Sequence, residues 1–194
     1  MIKTAKKLTN YFTKAELMLW CASIAFIIVS FLIFDRNEYM TIAASLIGAT
    51  SLLLNAKGNP LGQLLTITFS LLYGVISFTF AYYGEMITYL GMTAPMAVFS
   101  LVTWLRHPYR GKRSEVAVNH ISKKEVIFMF ALAAAVTVVF YFVLDAFDTA
   151  NILPSTVSVT TSFLAVYLTA RRSEYFPLAY AANDIVLSSG RSPH

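Results

Sequence analysis

Charge is scarce in this sequence. Asp, Glu, Lys and Arg make up 13% of its 194 residues, where a soluble globular domain usually carries about 25%. Hydrophobic residues account for 57%, and the mean hydropathy is +0.64. One soluble core cannot hide this much apolar surface, so lipid is the expected solvent. There is a single cysteine, Cys21, which excludes an intrachain disulfide framework. Inside an apolar run it reads as a small hydrophobe. Catalytic signatures are missing too. There is no G-x-S-x-G, no H-E-x-x-H and no P-loop, and no nucleophile–base pair stands out, so an enzyme is not expected and no cofactor is implied. The three histidines, His107, His120 and His194, are scattered through basic loops and the tail, which argues against a metal site. The net charge of +5 is carried between apolar runs, without interleaved aromatics. It reads as a membrane-orientation signal, and nucleic acid is not an expected partner.

What is present is a series of long apolar segments: Glu16–Phe34, Thr41–Leu54, Leu61–Tyr83, Met86–Leu105, Glu125–Leu144 and Ile152–Ala170. Most approach the roughly 20 residues that cross a bilayer as helix. The second is short and must gain a turn or sit where the protein is thin. A seventh segment starts near Phe176 and gives way to "SSGRSPH". That tail reads as loop sequence, and the expectation is a natural chain that continues past residue 187 as apolar helix. The first run is too long for a signal-peptide core and lacks a small-x-small cleavage site, so it is read as a retained span. Lipid offers the backbone no hydrogen bonds, so the spans are expected to be helices. The alternating ten-residue segments of a barrel are absent.

Basic residues give an orientation. Lys3, Lys6, Lys7 and Lys14 precede the first span, and Lys57 lies between the second and third. Arg106, Arg110, Lys112, Arg113, Lys123 and Lys124 lie between the fourth and fifth, and Arg171 and Arg172 between the sixth and seventh. Leaving Arg191 aside, these thirteen face one, Arg36, on the other side. The rule that cytoplasmic loops are positive predicts a cytoplasmic N-terminus in a multi-pass protein of the inner, cytoplasmic membrane. The opposite face carries Asp35, Glu38, Glu85, Asp145 and Asp148.

The segments repeat. "TKAE" at Thr13 and "SKKE" at Ser122 each pair a hydroxyl N-cap with a glutamate three residues on, the pattern of a capping box. The first and fifth spans end in "FLIFD" and "YFVLD". "TSLLL" at Thr50 matches "TSFLA" at Thr161, and the basic loops that follow close on Pro60 and Pro177. Spans one to three and five to seven therefore read as two copies of a three-helix unit. The fourth span restores the chain's direction, so that both copies point the same way. The predicted fold is an all-α membrane protein of seven transmembrane helices in a 3+1+3 parallel repeat, the plan of the SWEET transporters, with the last helix incomplete. Residues 1–12 form the N-terminal tail, 13–83 the first repeat, 84–110 the linker helix, 111–187 the second repeat and 188–194 an atypical tail. Such a pair frames a substrate site near the midplane, exposed to each side in turn as one unit rocks against the other.

Polar residues inside spans are expensive unless they meet a partner or a cavity. Span seven offers Asn183 and Asp184 after Tyr180. Span three opens with Asn59 and Gln63 and contains Thr66, Thr68 and Tyr73. For Asn183 and Asp184, a substrate role and helix–helix hydrogen bonding both stand open. Ser45, Gly48 and Ser51, like Ser155, Ser158 and Ser162, recur at helical spacing and read as close packing through small residues. Tyr73, Tyr82, Tyr83, Trp104 and Tyr109 could stack on a flat ring, although those near span ends fit an interfacial belt.

"YGEMITYLGMTAPM" from Tyr83, "TWLRHP" from Thr103, "LLNAKGNPLG" from Leu53, "LLYGVISF" from Leu71 and "RRSEYFPLAYAANDIVL" from Arg171 together resemble the PnuC family of nicotinamide riboside transporters. The resemblance implies the seven-helix 3+1+3 arrangement and facilitated, uncoupled uptake of a vitamin precursor that a cytoplasmic kinase then traps by phosphorylation. Many members carry a Trp-x-x-Trp pair early in the last helix. Here Phe176 and Ala179 stand at those positions, with Asn183 retained, so the aromatic clamp is weakened or moved, to Tyr180. Within that frame the expected substrate-binding residues are Asn183, Tyr180, Phe176, Gln63, Tyr73 and Trp104, with Glu85 shaping the outer mouth. A cationic pyridinium would stack on aromatic faces. Another vitamin or nucleoside, such as thiamine or riboflavin, is the alternative cargo, and a non-transporting scaffold or subunit the alternative role. Membrane lipid is an expected partner, and assembly as a homo-oligomer is left open.

Overall fold

The computed structural model describes residues 11–34, 36–80, 82–147 and 152–189. Lys3, Lys6, Lys7, Asp35, Asp148 and the tail with Arg191 and His194 lie outside the described residues. Among those described, five helices are long and apolar enough to cross a membrane. They are α1 (Lys14–Phe34), α2 (Tyr39–Ala56), α3 (Pro60–Thr79), a composite fourth span (Tyr83–Arg106), and α6 (Lys123–Ala146). The helices α7 (Ile152–Ala170) and α8 (Phe176–Ser189) follow. The second span reaches 18 residues by extending at both ends of the stretch Thr41–Leu54, as its shortness requires.

The fourth span is not a uniform helix. It consists of α4 (Tyr83–Ile87), a π-helical segment (Thr88–Thr93) and α5 (Ala94–Arg106). Pro95 explains the break. It has no N–H to give the carbonyl four residues back, and its ring crowds that carbonyl. Widening the preceding turn relieves both problems, and Thr93 Oγ1 donates to the Thr88 carbonyl across it (3.3 Å). Widened turns of this kind often lie at functional sites.

Helices pack in sequence order within each half. α1 lies on α2 and α2 on α3; α6 lies on α7 and α7 on α8; the fourth span bridges α3 and α7. An apolar cluster of Met92, Ala133, Leu144, Val159 and Phe163 joins the fourth span to α6 and α7. No residue of α1 is buried, as suits a helix that faces lipid on most sides. Hydroxyls within the spans are largely satisfied by their own helix. Ser70, Ser100 and Thr137, for example, each donate to the carbonyl four residues earlier, which lowers the cost of carrying them in hydrocarbon.

One element departs from an all-helical expectation. The basic loop after α5 forms a hairpin, β1 (Pro108–Tyr109) with β2 (Lys112–Val116). Arg110 and Gly111 both have positive φ, 48° and 77°, the conformation of a two-residue type I′ turn.

The capping boxes differ between the halves. At Thr13 the box closes both ways: Glu16 N–H donates to Thr13 Oγ1 (3.3 Å) and Thr13 N–H to Glu16 Oε2 (2.8 Å). At Ser122 only the forward bond from Glu125 N–H appears (3.3 Å). The Glu125 carboxylate instead takes the Arg171 guanidinium. Its counterpart Glu16 also meets the basic residue after the next helix, Lys57, at 2.8 Å. Each half thus ties the start of its first helix to the end of its second by an ion pair.

The ends of α2 and α7 repeat bond for bond, at the one sequence spacing that separates Gly58 from Arg172. Lys57 and Arg171 N–H donate to the Leu53 and Tyr167 carbonyls, Gly58 and Arg172 to Asn55 and Thr169, and Asn59 and Ser173 to Leu54 and Leu168. Gly58 and Arg172 have φ of 65° and 59°, as a helix closing through a left-handed residue requires. Asn59 and Ser173 then each accept from the N–H two residues on, at 3.0 and 3.3 Å. This register corrects two of the matches read from the sequence. Pro60 and Pro177 are not equivalent, and Thr161 corresponds to Ile47 instead of Thr50. The caps repeat; the prolines merely fall nearby.

A single segment straps the two caps together. Val116 N–H donates to the Gly58 carbonyl (2.9 Å) and Asn119 N–H to the Arg172 carbonyl (3.0 Å). Arg172 Nη1 returns a bond to the Ala117 carbonyl (3.3 Å). Burial, and then the neighbouring Arg171 charge, lower the pKa of Arg172. A Cβ on Gly58 would sit 3.1 Å from Val116 Cγ1, in a backbone conformation that disfavours any Cβ. Gly58→Ala is expected to lower stability by about 1–2 kcal/mol, read as a lower melting temperature in detergent. Arg172→Gly should change it less, because relief of the left-handed arginine offsets the lost bond to Ala117.

Candidate functional site

Gly62 positions the first part of the site. A Cβ there would lie 2.3 Å from Asn55 Oδ1 and 2.7 Å from Asn55 N, so α3 approaches the end of α2 only because position 62 has no side chain. Asn55 then reaches across. Its Nδ2 donates to Thr66 Oγ1 (3.1 Å), and its Oδ1 accepts from Gln63 Nε2 (2.9 Å). Gln63 is 2% exposed and lies well below the membrane-facing surface.

The second half builds its counterpart from different chemistry. Thr169 of α7 and Tyr180 of α8 line one pocket together, and the Thr169 hydroxyl donates to the Ala165 carbonyl of its own helix (2.8 Å). Thr169 and Tyr180 follow Asn55 and Thr66 at the same spacing that relates the helix caps, so the two pairs are equivalent. The Thr169 carbonyl also accepts from Trp104 Nε1 (2.9 Å). Trp104 is 1% exposed and forms an aromatic row with Phe176 and Tyr180, each successive pair of centroids 6.5 Å apart.

Asn183 lies one turn beyond Tyr180 and is 8% exposed. Its Oδ1 accepts from Thr161 Oγ1 (2.7 Å), Ser162 Oγ (3.0 Å) and Ser158 Oγ (3.4 Å). The equivalent contact in the first half is Phe69 against Gly48, where a Cβ would lie 3.1 Å from the ring. Ser162 and Asn183 thus replace Gly48 and Phe69: the halves share helix register and differ in polarity.

The two halves meet at a pocket lined by Gln63 and Thr66 from α3, Thr93, Ala97 and Ser100 from the fourth span, and Val166, Thr169 and Tyr180 from α7 and α8. The equivalent pair Thr66 and Tyr180 both face it. Its volume is about 10 Å³, room for one water. At this point the two halves leave no room for anything larger.

Of the residues expected from the sequence, Gln63 and Tyr180 line this pocket, and Trp104 and Phe176 back it. Asn183 stands beside it on α8. Tyr73 sits elsewhere, in an aromatic cluster with Phe69 (5.4 Å) and Tyr89 of the π-helical segment (4.7 Å). Glu85 is exposed at the start of the fourth span, where its carboxylate receives a long bond from Ser77 Oγ (3.5 Å). Asp184 is exposed. Sequence reasoning missed Asn55, Thr93, Ser100 and Thr169. The signal was there for two of them: Thr93 and Ser100 are polar residues within the fourth span. Among the described residues, no group of His, Cys, Asp or Glu could hold a metal ion.

The fold is that of a known multi-pass membrane transporter. It superposes on the crystal structure of the vitamin B3 transporter PnuC with a TM-score of 0.77, covering 92% of this chain and 77% of that one at 21% sequence identity. The family model described as Nicotinamide mononucleotide transporter matches residues 38–189, and the chain belongs to that family, PnuC. No individually curated protein matches it significantly.

Proposed function

We propose that this protein mediates facilitated uptake of nicotinamide riboside across the cytoplasmic membrane by alternating access. The helices act as a 3+1+3 parallel repeat. Residues 13–83 and 111–187 form the two moving units, residues 84–110 form the linker, and the N-terminus is cytoplasmic. What carries the reading is the small pocket between the halves, to which the equivalent positions Thr66 and Tyr180 both contribute. At about 10 Å³ the pocket cannot admit a nucleoside, so loading requires the units to separate. Such separation opens a site toward one face of the membrane at a time.

In the open state the pyridinium stacks on Phe176 and Tyr180, braced by Trp104. The ribose hydroxyls and the carboxamide bond to Asn183 and Gln63, while Tyr73 and Glu85 lie on the approach from outside. Phosphorylation by a cytoplasmic kinase then adds charge to the cargo and prevents its return.

Phe176 and Ala179 favour a second reading in which the cargo is thiamine, riboflavin or another nucleoside. Trp104 is held by Thr169, which leaves Phe176 and Tyr180 as the rings free to meet a cargo. The test is uptake of labelled nicotinamide riboside into proteoliposomes, alongside thermal-shift measurements with each candidate. The expected result is saturable uptake above empty vesicles and a higher melting temperature with nicotinamide riboside. A shift with thiamine or riboflavin alone would transfer the reading to that cargo. No uptake and no shift with any of them would leave a scaffold or subunit role.

A further inference from the structure

A larger crevice lies away from the pocket between the halves, and no part of the transport reading uses it. It has a volume of about 260 Å³ and separates α1 from α2. Phe26, Phe31, Phe34 and Ile42 wall it, and Ser45 lies about two helical turns inward from Glu38, which borders it at the start of α2.

Glu38 is the unusual member. It occupies the N-cap position of α2, yet its side chain makes no cap hydrogen bond. It is half-buried, and none of the ion pairs among the described residues includes it. The cation nearest in sequence, Arg36, turns its Nε to the Leu32 carbonyl (2.6 Å), which leaves the rest of its guanidinium fork free of that bond. A carboxylate lacking a cation therefore borders an apolar groove, and a partly engaged guanidinium lies two residues before it in the chain.

We propose that this crevice binds a phospholipid with a primary ammonium headgroup, a phosphatidylethanolamine. One acyl chain lies along the Phe31 and Ile42 walls, the ammonium donates to Glu38, and the phosphate takes the Arg36 guanidinium. A primary ammonium can give the carboxylate charge-assisted hydrogen bonds. A choline head has no N–H to give and is ordinarily held by an aromatic cage, and a glycerol head has no cation at all. The lipid would also give α1, which has no buried residue, a filled surface against α2.

The full-length chain, delipidated in detergent, is tested by native mass spectrometry against dioleoyl phosphatidylethanolamine, phosphatidylcholine and phosphatidylglycerol. The expected result is an ethanolamine-lipid adduct favoured about tenfold over the other two, the worth of one charge-assisted hydrogen bond. Glu38→Gln, which keeps the shape of the side chain and sits at the end of the span, should erase that preference. Ser45→Phe should weaken adducts of all three lipids by filling the groove. Equal binding of the three lipids by the native protein would overturn the proposal, as would a preference that survives Glu38→Gln.

Discussion

Combining Ser162→Gly with Asn183→Phe is expected to leave the protein folded and to lower nicotinamide riboside uptake at least about tenfold, as loss of one or two buried hydrogen bonds to a cargo would. The pair recreates in the second half the contact that the first half already makes between Gly48 and Phe69, at the same helix register. The first half thus shows how a phenyl ring lies against a glycine on the preceding helix at this register. The hydroxyls that lose their acceptor are not stranded. Thr161 Oγ1 already has the Ser158 and Val157 carbonyls within reach, at 3.0 and 3.1 Å, and serine hydroxyls in helices commonly fall back on their own carbonyls. The expected change in unfolding free energy is within about 2 kcal/mol. Asn183→Phe alone should be less stable than the pair, because it presses a ring against Ser162. Uptake that survives in the folded double variant would remove Asn183 from the cargo site. A double variant that does not fold would show that the halves are not interchangeable at this contact.

The asymmetry behind that prediction explains what was legible in the sequence and what was not. Apolar runs long enough to span a bilayer announce themselves locally, because lipid imposes the same length on each of them. The basic loops and the Thr13 capping box are local as well. The repeat was visible in outline for the same reason, but its register was not. The bonds that fix the register lie at the ends of α2 and α7, where the left-handed residue is Gly58 in one half and Arg172 in the other. Glycine signals such a position and arginine does not, so the eye goes to the prolines, which fall nearby without being equivalent. Likewise, nothing in Glu125 itself foretells that Arg171 will draw it out of its capping box. That pairing depends on how α6 meets the end of α7.

The candidate site residues divide along the same line. Gln63, Tyr180 and Asn183 stood out as polar or aromatic groups inside spans, where each needs a reason to be there. Asn55 and Thr169 did not, because they sit in the last turns of helices beside basic loops, where polar residues are ordinary. Their importance comes from being equivalent across the two halves, with Thr66 and Tyr180 as partners, and equivalence is a property of the packed pair. Tyr73 and Glu85 have the right chemistry, but neither lines the pocket; Tyr73 packs on Tyr89 and Glu85 lies beside Ser77.

The close approach at Gly62 gives the other large effect. Gly62→Ala is expected to destabilise the protein by about 3 kcal/mol, at the upper end for over-packing a tight contact, and to abolish uptake with it. The new methyl would meet the Asn55 backbone nitrogen at 2.7 Å as well as its side chain. Backbone cannot swing away, so α3 must retreat from α2, and the bonds from Asn55 to Thr66 and from Gln63 to Asn55 lengthen with it. Two other glycines calibrate the result. At Gly74 the clash is with the Leu90 side chain, at 2.5 Å from Cδ2, which can change rotamer, so Gly74→Ala should cost about 1 kcal/mol. At Gly91 only Ile87 Cγ2 lies near, at 3.8 Å, and Gly91→Ala should be neutral or slightly stabilising, because alanine suits a helix better by about 1 kcal/mol. Thermal unfolding of the three variants in one detergent should rank them Gly62, Gly74, Gly91 from most to least damaged. If Gly62→Ala melts with the native protein, α2 and α3 are not held as close as the site requires, and the hydrogen bonds assigned to Asn55 fail with them.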